Sequence, residues 1–541
     1  MIKKKTPILS DLNFAILIAL IFFSFGLLIN LNHEMWHDET HEWLIARDST
    51  SYGQLIDTYR DNAHPMEWIT MLWILNKFTS NMFYMQLLNL FFATISIFLF
   101  VRFSVFSRIF KVLFTFGYFP LYQYASIARE YSLGMLMFFI VIIFFHNRWR
   151  NFIFFSILVF FLANAGIITF LFSDLIFIFL IYEMLQSRFG AKSEFEKPKG
   201  KYSTIIGFSI IILGIFLSFY NIKLMSIISG SNISRTEFTL PSLTWMPINN
   251  LGDLIHMFSY TFNCLFSRAF LPLPRPVMQF WWTNLYDSQW FAIFLIFNLV
   301  FLVVSFMFFR KKKDAIFLWG SAIILFFVAF LIKPYDFTDR HFGFLYLYFL
   351  FCLWVFCPKE VGKNLTFFKD KIGSFLARML IFVILIVQIA GMSIAVFFDL
   401  KYPFTRAKEV AAYINENNLG NRDIIGWTED SMASIIAYGN IKQIYRPSID
   451  RYTSFIIVDV DDERHKKMKF IDLFKPVITL TKPPEDFLVI ITQESVNGYE
   501  DIPKLIFNIG SNMYHLKELK SFYPAIVRGE SFVIYEFEKL K

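Results

Sequence analysis

Near its start the chain passes directly from an apolar run to a polar one: residues 14–31 read FAILIALIFFSFGLLINL, and residues 32–48 read NHEMWHDETHEWLIARD. A helix needs about 20 apolar residues to cross the ~30 Å hydrocarbon core of a bilayer. The first run is therefore predicted to span a membrane. No small-residue cleavage site follows it, so we interpret the run as a retained anchor rather than a signal peptide. The polar run is then expected at a membrane surface.

The composition extends this prediction to most of the chain. Its 541 residues are 56% hydrophobic and only 17% charged, and they include 72 phenylalanines. A soluble chain carries roughly 25% charged residues. This composition excludes a disordered or collagen-like chain and argues against a wholly soluble enzyme, so we expect a polytopic membrane protein. The three cysteines predict neither a disulfide framework nor a cysteine metal site.

Apolar runs of sufficient length recur along the first 398 residues. The stretch 151–185 is predicted to be a hairpin or a broken helix. Residues 1–398 form the predicted membrane domain, with a first extracytoplasmic loop at 32–81 and a longer one at 222–288. The predicted fold is an α-helical polytopic membrane protein with about eleven transmembrane helices, near 14–31, 82–103, 111–127, 130–146, 151–169, 170–185, 203–221, 289–309, 314–333, 341–357 and 378–398.

Basic residues set the predicted orientation. Lysines and arginines cluster in alternate segments between the predicted spans, beginning with Lys3, Lys4 and Lys5. Because cytoplasmic loops carry an excess of basic residues, we place the segment before the first span in the cytoplasm. An odd number of spans then places residues 399–541 outside. We expect a multi-pass protein of the cytoplasmic (inner) membrane.

Residues 399–541 have a different pattern from the rest of the chain. Residues 405–418 predict an amphipathic helix that ends before Gly420. Short apolar or alternating runs predict strands at 423–428, 454–459, 487–492 and 531–537. We therefore expect an extracytoplasmic α/β domain at 399–541. Its sequence contains no glycine-rich phosphate loop and no nucleophile elbow.

The first predicted loop concentrates ionisable side chains. Between residues 32 and 65 lie seven acids, two arginines and four of the nine histidines. Carboxylates beside arginine and histidine at a membrane face favour a site where protons move or phosphates bind. The competing interpretation is a solvated acidic helix at the interface, on which Asp38 and Glu42 share one face at i,i+4 spacing.

Four short motifs, in this order along the chain, resemble those of GT-C glycosyltransferases. The protein O-mannosyltransferase and aminoarabinose transferase branch is the most similar. The motifs are Trp36–Arg47 after the first span, His64–Trp68 before the second, Ser126–Gly134 in the second loop, and Arg340-His341 at the start of the tenth span. Segments 426–438 and 445–458 resemble the external domain of uncharacterised bacterial members. One departure is Met66, where the family has a second proline.

This resemblance implies an enzyme, a membrane glycosyltransferase that takes a sugar from a polyprenyl-phosphate donor on the extracytoplasmic face. The implied acceptor is a glycan, a lipid or a protein of the cell envelope. Asp38 is the candidate general base, with Glu39 beside it in the catalytic pair, and in-line displacement inverts the anomeric centre. Because guanidinium groups match phosphate oxygens, the arginines lead the candidate substrate contacts, which are Arg47, His64, Arg129, Tyr131, Arg340 and His341.

The implied reaction needs no obligatory cofactor, because the lipid phosphate is already a good leaving group. We expect membrane lipids, and no nucleic acid, among the partners. A divalent metal stays open as a weaker interpretation, because His33, His37 and His41 are spaced to share one helix face, with His37 and His41 as its candidate ligands. The aromatic cluster 280–282 is interpreted either as an interfacial belt or as a substrate platform.

Two alternative functions also stay open. The first is a transporter or flippase of lipid-linked material, which would need ionisable side chains deep within several spans. The second is an O-antigen-ligase-like lipid-dependent transferase, for which the long loop 222–288 would be suited.

Overall fold

The computed structural model describes residues 9–59, 62, 64–188, 200–221, 250–332, 338–359, 371–427, 429–439, 441–447, 449–455, 486–493, 506–509 and 512–540. These residues are mostly helical. The described helices are α1 (Asp11–Asn30), α2 (His37–Asp48), α3 (Tyr52–Tyr59), α4 (Met66–Leu75), α5 (Phe83–Phe103), α6 (Arg108–Thr115), α7 (Tyr131–Phe144), α8 (Phe152–Asn164), α9 (Ile167–Arg188), α10 (Lys201–Asn221), α11 (Leu251–Phe270), α12 (Phe291–Phe309), α13 (Lys313–Ile332), α14 (Asp339–Phe356), α15 (Lys371–Lys401), α16 (Ala407–Glu416) and α17 (Met432–Tyr438).

Seven of the described helices are long and apolar enough to cross a membrane, which supports a polytopic, membrane-embedded chain. Shorter apolar helices cover Met66–Leu75, Tyr131–Asn147 and Phe152–Asn164. The predicted count of eleven therefore exceeds the number of described helices that have sufficient length. The seven cover Asp11–Asn30, Phe83–Phe103, Ile167–Gln186, Lys201–Asn221, Phe291–Phe309, Lys313–Leu331 and Phe375–Lys401.

One expected span, 111–127, is not a continuous helix. α6 ends at Thr115, and a short π-helical turn follows at Tyr118–Gln123. Gly117 and Pro120 lie in this stretch, and proline has no backbone N–H with which to continue an α-helix. The apolar composition of 111–127 thus reflects burial inside the bundle, where every residue of the π-helical turn is buried.

Two other expected boundaries also differ. The apolar stretch 151–185 divides into α8 and α9, with a break at Ala165-Gly166. The predicted long loop 222–288 contains the 20-residue helix α11. It was not predicted, because polar side chains interrupt its apolar residues. Residues 222–249 of that loop lie outside the described residues.

The central helix of the bundle, α14, is buried along its whole length. It coincides with the expected span 341–357. An irregular segment beside it, 124–130, leads into α7, and its buried carbonyl groups need partners in an apolar surrounding. The Asn89 side chain donates to the carbonyls of Tyr124, Ala125 and Ile127 at 2.9, 3.1 and 3.1 Å. These three hydrogen bonds from α5 hold in place the segment that carries Arg129.

The C-terminal part forms a seven-stranded sheet. Its strands are β1 (Asp423–Trp427), β2 (Ile444–Arg446), β3 (Arg451–Thr453), β4 (Phe487–Thr492), β5 (Ile506–Ile509), β6 (Asn512–Phe522) and β7 (Phe532–Lys539), in the order β3-β2-β1-β4-β7-β6-β5. β1 is parallel to β2 and β4, and the other pairs are antiparallel.

The sheet only partly follows the sequence prediction. The expected strands at 423–428, 487–492 and 531–537 correspond to β1, β4 and β7, and the expected helix at 405–418 corresponds to α16. The expected strand 454–459 is not seen at Ser454 and Phe455, and its remainder lies outside the described residues.

The first loop and the sheet pack directly on each other. Leu44 of α2 belongs to the same buried apolar cluster as Ile424, Ile435 and Ile534 of the C-terminal part. The backbone N–H of Met35 donates to the Tyr438 hydroxyl at 2.7 Å. The loop after α1 and the sheet therefore lie on the same side of the helical bundle.

Candidate active site

Helix α2 brings the first-loop acids to the junction of the bundle and the sheet. The helix begins at His37, so Asp38 and Glu39 occupy its first turn, where the positive end of the helix dipole favours carboxylates. Adjacent helical residues point about 100° apart. The two carboxylates accordingly face different surroundings.

The Asp38 carboxylate faces partly outward. Its Oδ2 atom lies 2.9 Å from Nη2 of Arg340, its Oδ1 atom lies 3.5 Å from Nε2 of His37, and its side chain is 31% exposed. Burial by itself raises the pKa of Asp38, but the charges of His37, Arg340 and Arg129 together hold it well below its usual range. Asp38 is therefore a carboxylate at neutral pH, with one side open.

The Glu39 carboxylate is fully buried and points the other way. Its Oε1 atom accepts a hydrogen bond from the Ala128 N–H at 2.6 Å, and its Oε2 atom lies 3.1 Å from Nε2 of His33. His33 in turn lies 2.9 Å from Oδ2 of Asp399 at the end of α15. Burial lowers the pKa of His33, but the two carboxylates outweigh it and raise the pKa to about 10. Glu39 thus ties α1, α2 and α15 together.

Arg340 sits in an aromatic cage. Its guanidinium carbon lies 5.3 Å from the ring centre of Tyr131, 5.8 Å from Trp36 and 5.9 Å from Trp281. The side chain is only 4% exposed. Its Nη2 atom binds Asp38 and its Nε atom donates to Thr338 at 3.3 Å, whereas its buried Nη1 atom has no hydrogen-bond partner among the described residues. A buried charged nitrogen without a partner is costly, so this position favours an anionic ligand.

Arg129, in contrast, is fully engaged by the protein. Its Nε atom lies 3.2 Å from Oε2 of Glu42 and 3.1 Å from Oε2 of Glu130. Its Nη1 atom donates to the carbonyl oxygen of Asp38 at 2.8 Å, and its Nη2 atom lies 3.4 Å from Nε2 of His64. Arg129 therefore stabilises the first turn of α2, and His64 lies beside it.

Tyr131 and His341 form a pair next to the cage. The Thr338 N–H donates to Nδ1 of His341 at 2.9 Å, so the hydrogen-bond network assigns the imidazole proton to Nε2. That Nε2 lies 3.0 Å from the Tyr131 hydroxyl oxygen, to which it donates. The Tyr131 ring therefore has a fixed position against Arg340.

Arg47 lies far from these groups. It is nine residues beyond Asp38 on α2, which corresponds to roughly 13 Å along the helix axis. Its guanidinium pairs with Asp48 at 2.7 and 3.0 Å. Both residues line a groove of about 760 Å³ between the loop and the sheet, together with Gln54, Lys442 and Tyr452.

The three regularly spaced histidines of the first loop, His33, His37 and His41, do not converge. His33 contacts Glu39 and Asp399, His37 contacts Glu530 and Asp38, and His41 lies 2.7 Å from Oδ1 of Asn62. Within the described part of the chain, no group of three or more His, Cys, Asp or Glu side chains is placed to hold a metal ion. His37 and His41 thus do not share a ligand set in this arrangement.

When compared with known proteins, the chain matches no family model and no curated protein sequence.

Two residues that contribute to this site, Glu530 and Trp281, were not among the predicted site residues. Glu530 lies in a short turn before β7, and its acidic character gave no sign of a contact with the first loop. Trp281 belongs to a cluster that the sequence did single out, although its contact with Arg340 required the fold. Its neighbour Trp282 has a left-handed backbone (φ 65°), which is strained for a bulky residue, and holds a 44% exposed ring 5.4 Å from Trp36.

Proposed function

We propose that the chain is a GT-C-type membrane glycosyltransferase that transfers a sugar from a polyprenyl-phosphate donor to an acceptor alcohol with inversion. The observation that carries this proposal is the pair Asp38–Arg340. A partly open carboxylate lies 2.9 Å from a guanidinium group whose Nη1 atom is buried without a partner among the described residues. The pair combines a proton acceptor with a cation for an anionic leaving group.

The chemistry follows from these two groups. The acceptor oxygen attacks the anomeric carbon and forms the new glycosidic bond, while the bond from that carbon to the phosphate oxygen of the lipid breaks. The acceptor proton passes to the Asp38 carboxylate, and the phosphate leaves with both electrons of the broken bond. Arg340 stabilises the charge that develops on the phosphate. A positioned carboxylate is typically worth about 10²–10⁴ in rate.

The lowered pKa of Asp38 has a consequence for this scheme. Because the cations of Arg340 and His37 lower its pKa, the Asp38 carboxylate is a weak base in the free protein. A donor phosphate bound at Nη1 of Arg340 would compete for the same cation. Its negative charge raises the basicity of Asp38, so the base becomes stronger when the donor is in place.

The remaining candidate residues take different roles in this proposal. Tyr131 and His341 fix the cage around Arg340, while Arg129 and His64 hold the first turn of α2. Glu39 supports the site without touching substrate, and Arg47 lies outside it. The reaction takes place on the extracytoplasmic face of the cytoplasmic membrane, where the loop and the sheet meet.

Lipid analysis of a deletion strain tests the proposal. Mass spectrometry should find an accumulated polyprenyl-phosphate sugar and an envelope glycan, lipid or protein that lacks that one sugar. The full-length chain in detergent should then transfer the accumulated sugar, and the product should have the opposite anomeric configuration. A flippase would instead leave the purified chain inactive in this assay. A ligase would cause loss of a whole lipid-linked glycan rather than of one sugar.

A further inference from the structure

Glu530 of the C-terminal part reaches into the first loop. It lies in the turn Arg528–Glu530, and its carboxylate is completely buried. One oxygen, Oε1, accepts hydrogen bonds from the backbone N–H of His37 at 3.0 Å and from Ser434 at 3.2 Å, and it lies 2.7 Å from the ring atom Nδ1 of His37. The other oxygen accepts from Thr405 at 2.5 Å. The carboxylate thus binds α2 at its first residue.

A carboxylate in such a position requires a cation. Removing an ionised group from water costs several kcal/mol unless a partner of opposite charge compensates it. Among the described residues, His37 is the basic side chain that forms an ion pair with Glu530. The imidazole is therefore protonated on both nitrogens. Its Nδ1–H donates to Glu530, and its Nε2–H faces Oδ1 of Asp38 at 3.5 Å.

We propose that Glu530 is a positioning residue for the reaction, because it holds the His37 imidazolium cation against the carboxylate of Asp38. This inference rests on the proposed function, in which Asp38 accepts the proton of the acceptor. The C-terminal part then completes the catalytic site through three side chains in contact, Glu530, His37 and Asp38. The imidazolium keeps the Asp38 carboxylate ionised and, together with Arg340 on the other oxygen, fixes its orientation.

The charges around His37 support this arrangement. The acidic groups that face it are Glu530 and Asp430 from the C-terminal part and Asp38 from α2 itself. Burial lowers the pKa of His37, but the hydrogen bond and the charge of Glu530, followed by the charges of Asp38 and Asp430, raise it to about 9. The imidazole therefore stays cationic at neutral pH.

The test compares Glu530→Gln with Tyr438→Phe in the full-length chain. Glu530→Gln keeps the shape of the side chain but removes its charge. Tyr438→Phe is the matched control, because it also removes a contact between the C-terminal part and the first loop. This contact is the 2.7 Å hydrogen bond from the Met35 N–H to the Tyr438 hydroxyl. NMR of labelled histidines, assigned through His37→Gln, reports the titration of His37 in each protein. Transfer is measured with the polyprenyl-phosphate sugar purified from the deletion strain.

For Glu530→Gln we expect the His37 midpoint to fall by at least about one pH unit, and kcat to fall about tenfold or more with KM for the donor nearly unchanged. For Tyr438→Phe neither quantity should move. His37→Gln should lower kcat to the same extent as Glu530→Gln, and the double variant should add no further loss. If Glu530→Gln folds poorly, the kcat of His37→Gln still reports whether transfer needs the imidazolium.

Two outcomes would overturn the inference. One is an unchanged His37 titration in Glu530→Gln, and the other is an equal loss of kcat in Glu530→Gln and Tyr438→Phe. The titration does not depend on transfer. Wild-type protein that lacks transferase activity would therefore defeat the proposed function, while the His37 measurement would still decide whether the contact sets its charge.

Discussion

The Oδ2 atom of Asp38 lies 2.9 Å from the Nη2 atom of Arg340, although the two residues are 302 positions apart in the chain. Asp38 comes from the first turn of α2, at the junction of the bundle and the sheet, and Arg340 comes from the first turn of the buried helix α14. The fold thus joins the first loop to the central helix at one ion pair.

Asp38→Asn is expected to reduce transfer at least about 100-fold, because the amide keeps the shape of the side chain but accepts a proton far less readily. Purified full-length protein and the accumulated lipid-linked sugar provide the assay. The matched control is Asp48→Asn. Asp48 lies on the same helix with the same 31% side-chain exposure, and it also pairs with an arginine. Full activity in Asp38→Asn would exclude Asp38 as the base.

Arg340→Lys is expected to raise KM for the lipid donor about tenfold or more. Lysine keeps the charge but lacks the planar fork that presents Nη1 and Nη2 together. The control is Arg422→Lys, which alters an arginine paired with Glu536 at 3.1 Å in the sheet. Donor kinetics and the thermal unfolding midpoint are measured together. An unchanged KM would mean that the phosphate binds elsewhere.

Arg129→Ala is expected to destabilise the protein rather than to act on the donor alone. It leaves Glu42 and Glu130 buried without their guanidinium partner, and breaking a buried ion pair costs about 3–5 kcal/mol. The unfolding midpoint in detergent should fall clearly. Adding Glu42→Gln to this variant should restore part of the loss, because it removes one unpaired charge. A normal midpoint combined with a raised donor KM would return Arg129 to phosphate binding.

His33 predicts a pH dependence of stability. Its pKa is raised to about 10 in the folded protein, above the ordinary value of 6.5, so folding favours the protonated form. The resulting stabilisation is complete below about pH 6.5 and is lost as the pH rises toward 10. The unfolding midpoint of the wild type should fall over this range. His33→Gln should unfold at a lower temperature at pH 6.5 and show a smaller further decrease. Parallel curves for both proteins would contradict this prediction.

Cysteine labelling tests the predicted orientation. Thr50 is exposed on the site side of the bundle, and Lys311 is exposed in the connection between α12 and α13. An impermeant thiol reagent added to intact cells should modify Thr50→Cys but not Lys311→Cys, and both should react after permeabilisation. The native cysteines Cys264, Cys352 and Cys357 are buried and give little background. The reverse pattern would place the site in the cytoplasm.

Local patterns were sufficient for several parts of the fold. The apolar runs predicted long helices at positions that the structure bears out, and alternation in the last part predicted β1, β4 and β7. The predictions were wrong where the composition of a segment does not match its conformation. Residues 111–127 are apolar because they are buried, yet Gly117 and Pro120 interrupt their helix. α11 is a regular helix but carries too many polar residues for a simple apolar run.

Sequence alone determined that the chain has a membrane-embedded character and that its first loop gathers acids, histidines and arginines. The choice of Asp38 over Glu39 as the base came from the family resemblance, because the two adjacent acids have the same chemistry. The tertiary structure separated them, because one carboxylate faces Arg340 and an open side while the other is buried against Ala128 and His33. It also gave the three candidate arginines different surroundings: Arg340 lies beside Asp38, Arg129 is held by two buried acids, and Arg47 lies away from both. It also brought Glu530 to His37. These differences depend on contacts between residues tens to hundreds of positions apart, and no local pattern encodes which distant surfaces meet.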